Sequence, residues 1–434
     1  QHELAPIFET VNIAADHNQM MMEVLKRTAI KHNMVCLLHE KPFEGINGSG
    51  KHNNWSLSTD QGANLLEPGA TPQENAQFLL FLAAILKAVD EHQDLLRLSV
   101  ASAGNDCRLG AFEAPPSIVS IFLGDELTEV LDALVNHRTY VRETTADMSI
   151  GVHVLPKIPR DISDRNRTSP FAFTGNKFEF RSVGSAMSIA EANITINTAM
   201  ADALMLFADE LEKADDFHAA CEQLIIATIT KHRRIIFNGN SYAEAWRKEA
   251  KKRGLPNVSS TYEALEALTK EKNIRLFEKY GVFSEEELVA RYHIWIHTYN
   301  LTLEIEANTL KEMVNASVVP AGYKYEKLLA RTLHELVSLV KTAALKLDPA
   351  ALKDKKAHLA DIVSKIYYVR RNTLEMDKLL GKAAKVGDAE RAELYFRELK
   401  PLMEHIRRHV DELECVVSDD SWDLPKYREM LFIK

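Results

Sequence analysis

The strongest constraint on this chain is a change of pattern near Ser185. Before it, short apolar runs and period-two alternation mix with amphipathic helical stretches. After it, apolar residues recur at helical spacing almost to the end and strand signals vanish. This predicts an α+β segment over 1–185 followed by a mostly helical domain over 186–434. Within the second part, 352–380 and 388–414 predict a helical hairpin. Leu359, Ile362, Ile366 and Val369 line one arm. Leu399, Leu402, Ile406, Val410 and Leu413 line the other, and Gly381 and Gly387 mark the turn. With 434 residues, 46% of them hydrophobic, the chain has material for two or three cores.

The first segment carries more varied signals. QHELAPIF (1–8) is strand-like and begins abruptly, which leads us to expect natural sequence upstream. A helix is expected over 12–32, with Met21, Leu25 and Ala29 on one face, then a strand from Val35 to Leu38 and a Gly-rich turn at 45–50. Thr71-Pro72-Gln73-Glu74 has the spacing of a capping box and opens a helix through Phe78, Leu82, Ile85, Leu86 and Val89. Another helix is predicted over 125–137, an ordered loop over 155–176 and a strand at KFEFR (177–181).

Charge and cysteine usage narrow the function classes. The 53 basic and 62 acidic residues give a net charge of -9, which argues against a nucleic acid partner and suits a site that collects divalent cations. Cys36, Cys107, Cys221 and Cys415 are scattered and never form CxxC. That fits a reducing, cytoplasmic setting rather than a disulfide framework. The longest strongly apolar stretch, Phe78 to Leu86, is too short for a bilayer, and no secretory pattern opens the chain. A membrane partner is therefore not expected.

Three clusters carry chemistry. Gly45 to Lys51 fits GxxxxGK, but His52 follows where a P-loop has Ser or Thr, and the next residues are strand-like rather than a helix N-terminus. A structural turn or a different kind of site remains, and the turn concentrates Lys51, His52, Asn53 and Asn54. In the second cluster, Lys177, Glu179 and Arg181 share one face of a strand while Phe178 and Phe180 take the other, next to Arg165-Asn166-Arg167. That is either a phosphate and metal site or a solvated basic surface. Arg108 and Glu113, the third, flank a Gly-containing loop and read equally as a surface ion pair. His293/His297 and His405/His409 have helical spacing but no HExxH glutamate, so we read them as ordinary helical histidines.

Taken together, these segments resemble glutamine synthetase. KPFEGINGSGKHNNWSL (41–57) resembles that family's ATP-binding glycine-loop motif, and RLGAFEAPP (108–116) the segment ending in its mobile glutamate flap. NRTSPFAFTGNKFEFR (166–181) resembles the Arg-rich strand with its metal-binding glutamate, and QHELAPIF a strand supplying another. The wording KHNNWS, RLGAFEAPP and SPFAFTGNKFEFR, with the long helical tail, is similar to the type III subfamily. Recognisable signature covers roughly the first 185 residues.

The resemblance implies a partial split β-barrel catalytic domain and a reaction in which ATP drives ligation of ammonia to L-glutamate. It implies two or more Mg2+ or Mn2+ ions, with Glu3 on one, and His52 and Glu179 on another that bridges the ATP phosphates. It gives Asn47, Gly48, Arg108 and Arg181 to the glutamate substrate, and Ser56, Lys177 and Arg167 to ATP, with Arg167 on the transferred phosphate. Glu113 would close the site and help take a proton from ammonium. Such chemistry needs oxygen-rich metal ligands and cationic side chains on the moving phosphoryl group.

Departures from the family pattern are Asn54 in place of a second histidine, Ala172 in place of an arginine, and Lys177 in place of an arginine, which loses the bidentate fork. The resemblance also puts further metal-binding glutamates and a small β-rich domain before residue 1. The 434 residues alone are therefore expected to be inactive, and the parent a ring-forming homo-oligomer with sites shared between subunits. Rival readings are a sister ligase joining glutamate to an amine and a catalytically dead structural or regulatory relative. A phosphagen kinase lacks its substrate-binding cysteine motif here.

Overall fold

In the computed structural model, residues 4, 6–7, 9–43, 45–110, 114–140, 169–342 and 344–426 are described. The chain divides into two compact units, Gln1–Tyr292 and His293–Lys434. In the first unit the described strands are β1 (Gly50–Trp55), β2 (Ile121–Phe122), β3 (Phe171–Phe173) and β4 (Phe178–Gly184). They form one mixed sheet in the order β1-β4-β3-β2, with β2 parallel to β3 and the other pairs antiparallel. Helices account for the rest of the regular structure, so the unit is α+β.

Alternation explains the sheet's two faces. In the β3–β4 hairpin, Phe171 pairs with Phe180 and Phe173 with Phe178, while Ala172 pairs with Glu179 between them. The four phenylalanines join the buried core, where Phe171 and Phe178 stack with ring centroids 4.7 Å apart. Burial of each ring stabilises the fold by about 1.5–3 kcal/mol. The core face is covered by α2 (Ala76–Glu91), α6 (Ala190–Leu211) and α7 (Phe217–His232), with α2 packed on both of the others. Apart from these, the unit contains α1 (Val11–Lys31), α3 (Gln93–Leu98), α4 (Ala103–Arg108), α5 (Asp125–Val135), α8 (Glu244–Lys252), α9 (Thr261–Leu265) and α10 (Glu271–Lys279).

Several local expectations change: of the loop expected over 155–176, residues 155–168 lie outside the described residues and Phe171–Phe173 is a strand. Thr71 makes no side-chain cap; Pro72–Glu74 is an isolated 3-10 turn, and α2 starts later, with the Asn75 side chain accepting from the Phe78 amide at 3.0 Å. Asn is a good cap, and Pro72, three residues upstream of it, has its φ fixed in the range of the tighter turn. Val35–Leu38 forms no strand: Val35 and Leu37 stay exposed, because an apolar run becomes a strand only where another strand pairs with it.

The division between the units falls within α11 (Glu285–Met313). The second unit also contains α12 (Val319–Lys341), α13 (Pro349–Ala383), α14 (Asp388–Leu394) and α15 (Lys400–Val416). α13 packs on α12 and α15 through a seam that includes the fully buried Ile362, Val369, Leu399, Ile406 and Leu413. Single π turns at Val314–Val318 and Tyr395–Leu399 each precede a proline, Pro320 and Pro401. A proline ring removes one N–H and crowds the carbonyl a turn earlier, and the widened turn accommodates it. Among the described residues, no helix is long and apolar enough to cross a membrane.

Candidate functional site

β1 and β4 pair along their whole length, but not evenly. Gly50 and Lys51 face Gly184 and Val183; Asn53, Asn54 and Trp55 then face Phe180, Glu179 and Phe178. Between these runs Arg181 and Ser182 oppose the single residue His52, which makes a β-bulge on β4. The extra residue changes which side chains face the core, from Phe178 and Phe180 on one side of the bulge to Val183 on the other. The imidazole of His52 lies diagonal to Glu179, whose direct partner on β1 is Asn54, with Nδ1 and Oε1 2.9 Å apart. Glu179 is buried and His52 half-exposed, so the pair has one side in the protein and one toward solvent.

These two donors fit a divalent cation. Two ligands held about 2.1 Å from an octahedral ion, at right angles, lie about 3 Å from each other. A carboxylate oxygen beside one imidazole nitrogen is also a donor set that Mg2+ tolerates and Mn2+ accepts readily. Among the described residues no group of three or more His, Cys, Asp and Glu side chains is arranged to hold a metal ion. Glu3, expected on a neighbouring ion, lies outside the described residues, as do Glu113 and Arg167.

The remaining predicted residues fall at the two ends of the β1–β4 ladder. At the Trp55 end, the Ser56 hydroxyl is 2.9 Å from Asn64 Oδ1 and 3.2 Å from the Asn176 carbonyl, and Lys177 Nζ reaches Asn176 Oδ1 at 3.4 Å. Lys177 precedes β4 rather than sharing its face, because the turn closes through the Thr174 amide donating to the Lys177 carbonyl. At the Gly50 end lie Asn47, Gly48 and Arg108. A Cβ on Gly48 would come 2.8 Å from Arg108 Cγ, and one on Gly50 would collide with the guanidinium at 2.0 Å. The glycines in this loop thus make room for an arginine.

That arginine is buried and largely consumed by backbone. Arg108 Nη2 donates to the Arg181 carbonyl at 2.9 Å, and Nη1 to Asn105 Oδ1 at 3.2 Å and the carbonyls of Ser182 and Val183. Two of these carbonyls belong to the bulge residues Arg181 and Ser182. Arg181 is buried too, and donates to the Ser169 carbonyl. Burial lowers the Arg108 pKa to about 10, against the opposing pull of the Glu40 carboxylate.

Sequence reading missed Glu40 and the role of Lys51. Glu40 is 3% exposed and accepts from the Ala186 amide at 3.1 Å. Lys51 Nζ donates to the carbonyls of Ser185, at 2.6 Å, and Met187. Burial lowers its pKa to about 8, again against Glu40. The one available signal was a glutamate immediately before the Lys41-Pro42 that opens the Gly-rich segment.

Comparison with known proteins bears on the family. A family model described as glutamine synthetase, catalytic domain, matches residues 1–104, and one for the glutamine synthetase C-terminal domain matches 220–337. The chain is 44% identical, over all of its own length and 59% of the relative's, to a type-3 glutamine synthetase of Dictyostelium discoideum. It is 41% and 40% identical, again over its full length, to glutamine synthetases of Butyrivibrio fibrisolvens and Bacteroides fragilis, covering 61% and 60% of them. The chain therefore spans about three-fifths of the curated relatives it matches.

Proposed function

Because this chain belongs to the glutamine synthetase family, we propose that the protein containing it ligates ammonia to L-glutamate, consuming ATP and releasing L-glutamine, ADP and phosphate. The observation that carries the reading is the similarity to three glutamine synthetases from the first residue to the last. The geometry supports it: His52 and Glu179 form a cation-compatible pair midway along a strand ladder whose ends hold Ser56 and Lys177 on one side and Asn47, Gly48 and Arg108 on the other.

In this reading the residues divide by place. His52 and Glu179 hold a Mg2+ or Mn2+ ion, with Glu3 on a second. Such ions neutralise phosphate charge when bound. Ser56 and Lys177 orient ATP at the Trp55 end, and Arg167 acts on the transferred phosphate. Asn47, Gly48, Arg108 and Arg181 orient glutamate at the other, so its side-chain carboxylate meets the terminal phosphorus near the middle. Phosphoryl transfer to that carboxylate depends mainly on alignment and charge compensation. Glu113 then accepts a proton from ammonium and shields the γ-glutamyl phosphate from water, so ammonia displaces the phosphate.

The catalytic segment, 1–185, would complete a split β-barrel with sequence outside this chain, and 186–434 would form the helical domain. A ring-forming homo-oligomer with sites shared between subunits, and a cytoplasmic location, complete the proposal. The test is glutamine formation by the full-length protein supplied with glutamate, ammonium, ATP and Mg2+ or Mn2+. Turnover with ammonium supports the reading. Turnover only with polyamines as acceptor, or none at all, overturns it.

A further inference from the structure

Glu40 has a buried side chain tied to three parts of the fold. Its Oε1 accepts from the Ala186 amide at the entry to α6, at 3.1 Å. A Cβ on Gly184, at the end of β4, would lie 2.4 Å from Oε1, and one on Gly104, in α4, 2.7 Å from Oε2. The carboxylate thus sits in a cradle that only glycine at both positions leaves open. The main-chain carbonyl of the same residue accepts from the Ser49 amide at 2.7 Å and comes 2.9 Å from where a Gly48 Cβ would stand. One residue therefore clasps the 45–50 loop to β4, α4 and α6.

Charge gives the clasp a second role. Arg108 is a buried cation and Lys51 a half-buried one, both bonded mainly to carbonyls, and those dipoles do not cancel a full charge. Glu40 is the carboxylate whose charge favours the cationic form of both. Gly48 and Gly50 in turn pack on the Arg108 side chain, so displacement of either partner moves the other. We infer that Glu40 is a positioning residue: its buried carboxylate sets the place of the Gly48–Gly50 loop and of Arg108, and through them the glutamate end of the site. The glutamate part of this inference rests on the proposed function, and the loop part does not.

Glu40→Gln in the full-length protein keeps the shape and an acceptor for the Ala186 amide while removing the charge. Hydrogen exchange of the peptide carrying Ser49 and Gly50 should rise about tenfold or more, with peptides of α2 unchanged. KM for glutamate should rise by a similar factor, with KM for ATP and kcat within about threefold. A role in packing alone would lower kcat through lost active protein and leave KM as it was. If Glu40→Gln folds poorly, adding Lys51→Met removes one charge of the opposite sign. Recovery of folding and exchange toward wild type is then expected, whereas additive losses contradict the inference. Wild-type exchange at Ser49 in a folded Glu40→Gln protein overturns it. If the wild-type protein makes no glutamine, the proposed function fails and the exchange result still decides the case of Glu40.

Discussion

His52 and Glu179 lie diagonally across neighbouring strands, with Nδ1 and Oε1 2.9 Å apart, beside the bulge at which Arg181 and Ser182 oppose His52. The two bulge residues also offer their carbonyls to Arg108. A single irregularity in one strand therefore links the candidate metal pair to the candidate glutamate-binding arginine.

The first prediction concerns the glycine that admits Arg108. Gly50→Ala would put a methyl group 2.0 Å from Nη2 of a guanidinium pinned by buried carbonyls. Arg108 must then give up bonds that it cannot replace. We expect a loss of about 2 kcal/mol in stability, read as a lower thermal midpoint, together with a raised KM for glutamate. Gly62→Ala is the contrast: nothing lies within 4 Å there, so only its positive φ of 84° adds strain and KM stays unchanged.

The second concerns how β1 is fixed to α6. Asn53 Nδ2 donates to Asn193 Oδ1 at 2.9 Å in the core, and Trp55 Nε1 donates to Asn197 Oδ1 at 2.8 Å. Asn193→Ala strands the Asn53 amide, a buried donor, and should cost about 1–3 kcal/mol in denaturant unfolding. Paired replacement of Asn53 and Asn193 by leucine should cost less than Asn193→Ala alone, since neither polar group is then left unmatched.

Much of the fold was legible in the sequence, and the reasons are local. KFEFR announced β4 because polar and apolar residues alternate there, although the structure buries both faces of the strand, and the long arms of the α13–α15 hairpin showed helical periodicity. The bulge was invisible, since nothing in Arg181-Ser182 differs from an ordinary strand step. Arg108 read as an exposed ion-pair candidate, yet its partners are carbonyls of a strand more than seventy residues away. Glu40 carried no motif; its burial depends on Gly104 and Gly184, brought together only by the tertiary fold. Thr71 fitted a capping box by spacing, but the competing Asn75 cap lies closer to the apolar run.

The third prediction is a pH dependence. Burial, and then the Lys272 charge, hold the His92 imidazole below its usual 6.5. For Asp94, burial pushes the carboxyl up, but hydrogen bonds from Lys272 and Asn273 and the charges of Lys272 and Lys270 outweigh it and leave it below 3.8. Both folded values lie under the unfolded ones, so each group contributes stability that is full above its unfolded pKa and fades as pH falls. The thermal midpoint should begin to drop below about pH 6.5, from His92, and drop further below about pH 4, from Asp94. His92→Gln should flatten the first part only. A midpoint that rises between about pH 7 and pH 5 would contradict the sign.

The most direct measurement is a manganese titration of the full-length protein, followed by calorimetry or Mn2+ relaxation, for wild type and for His52→Asn and Glu179→Gln. The account predicts saturable binding in the wild type. It also predicts that each variant loses affinity by at least the roughly 10–100-fold that loss of even an outer-shell partner costs, with the thermal midpoint of the metal-free protein little changed. Binding of equal strength in both variants would show that these two side chains hold no ion.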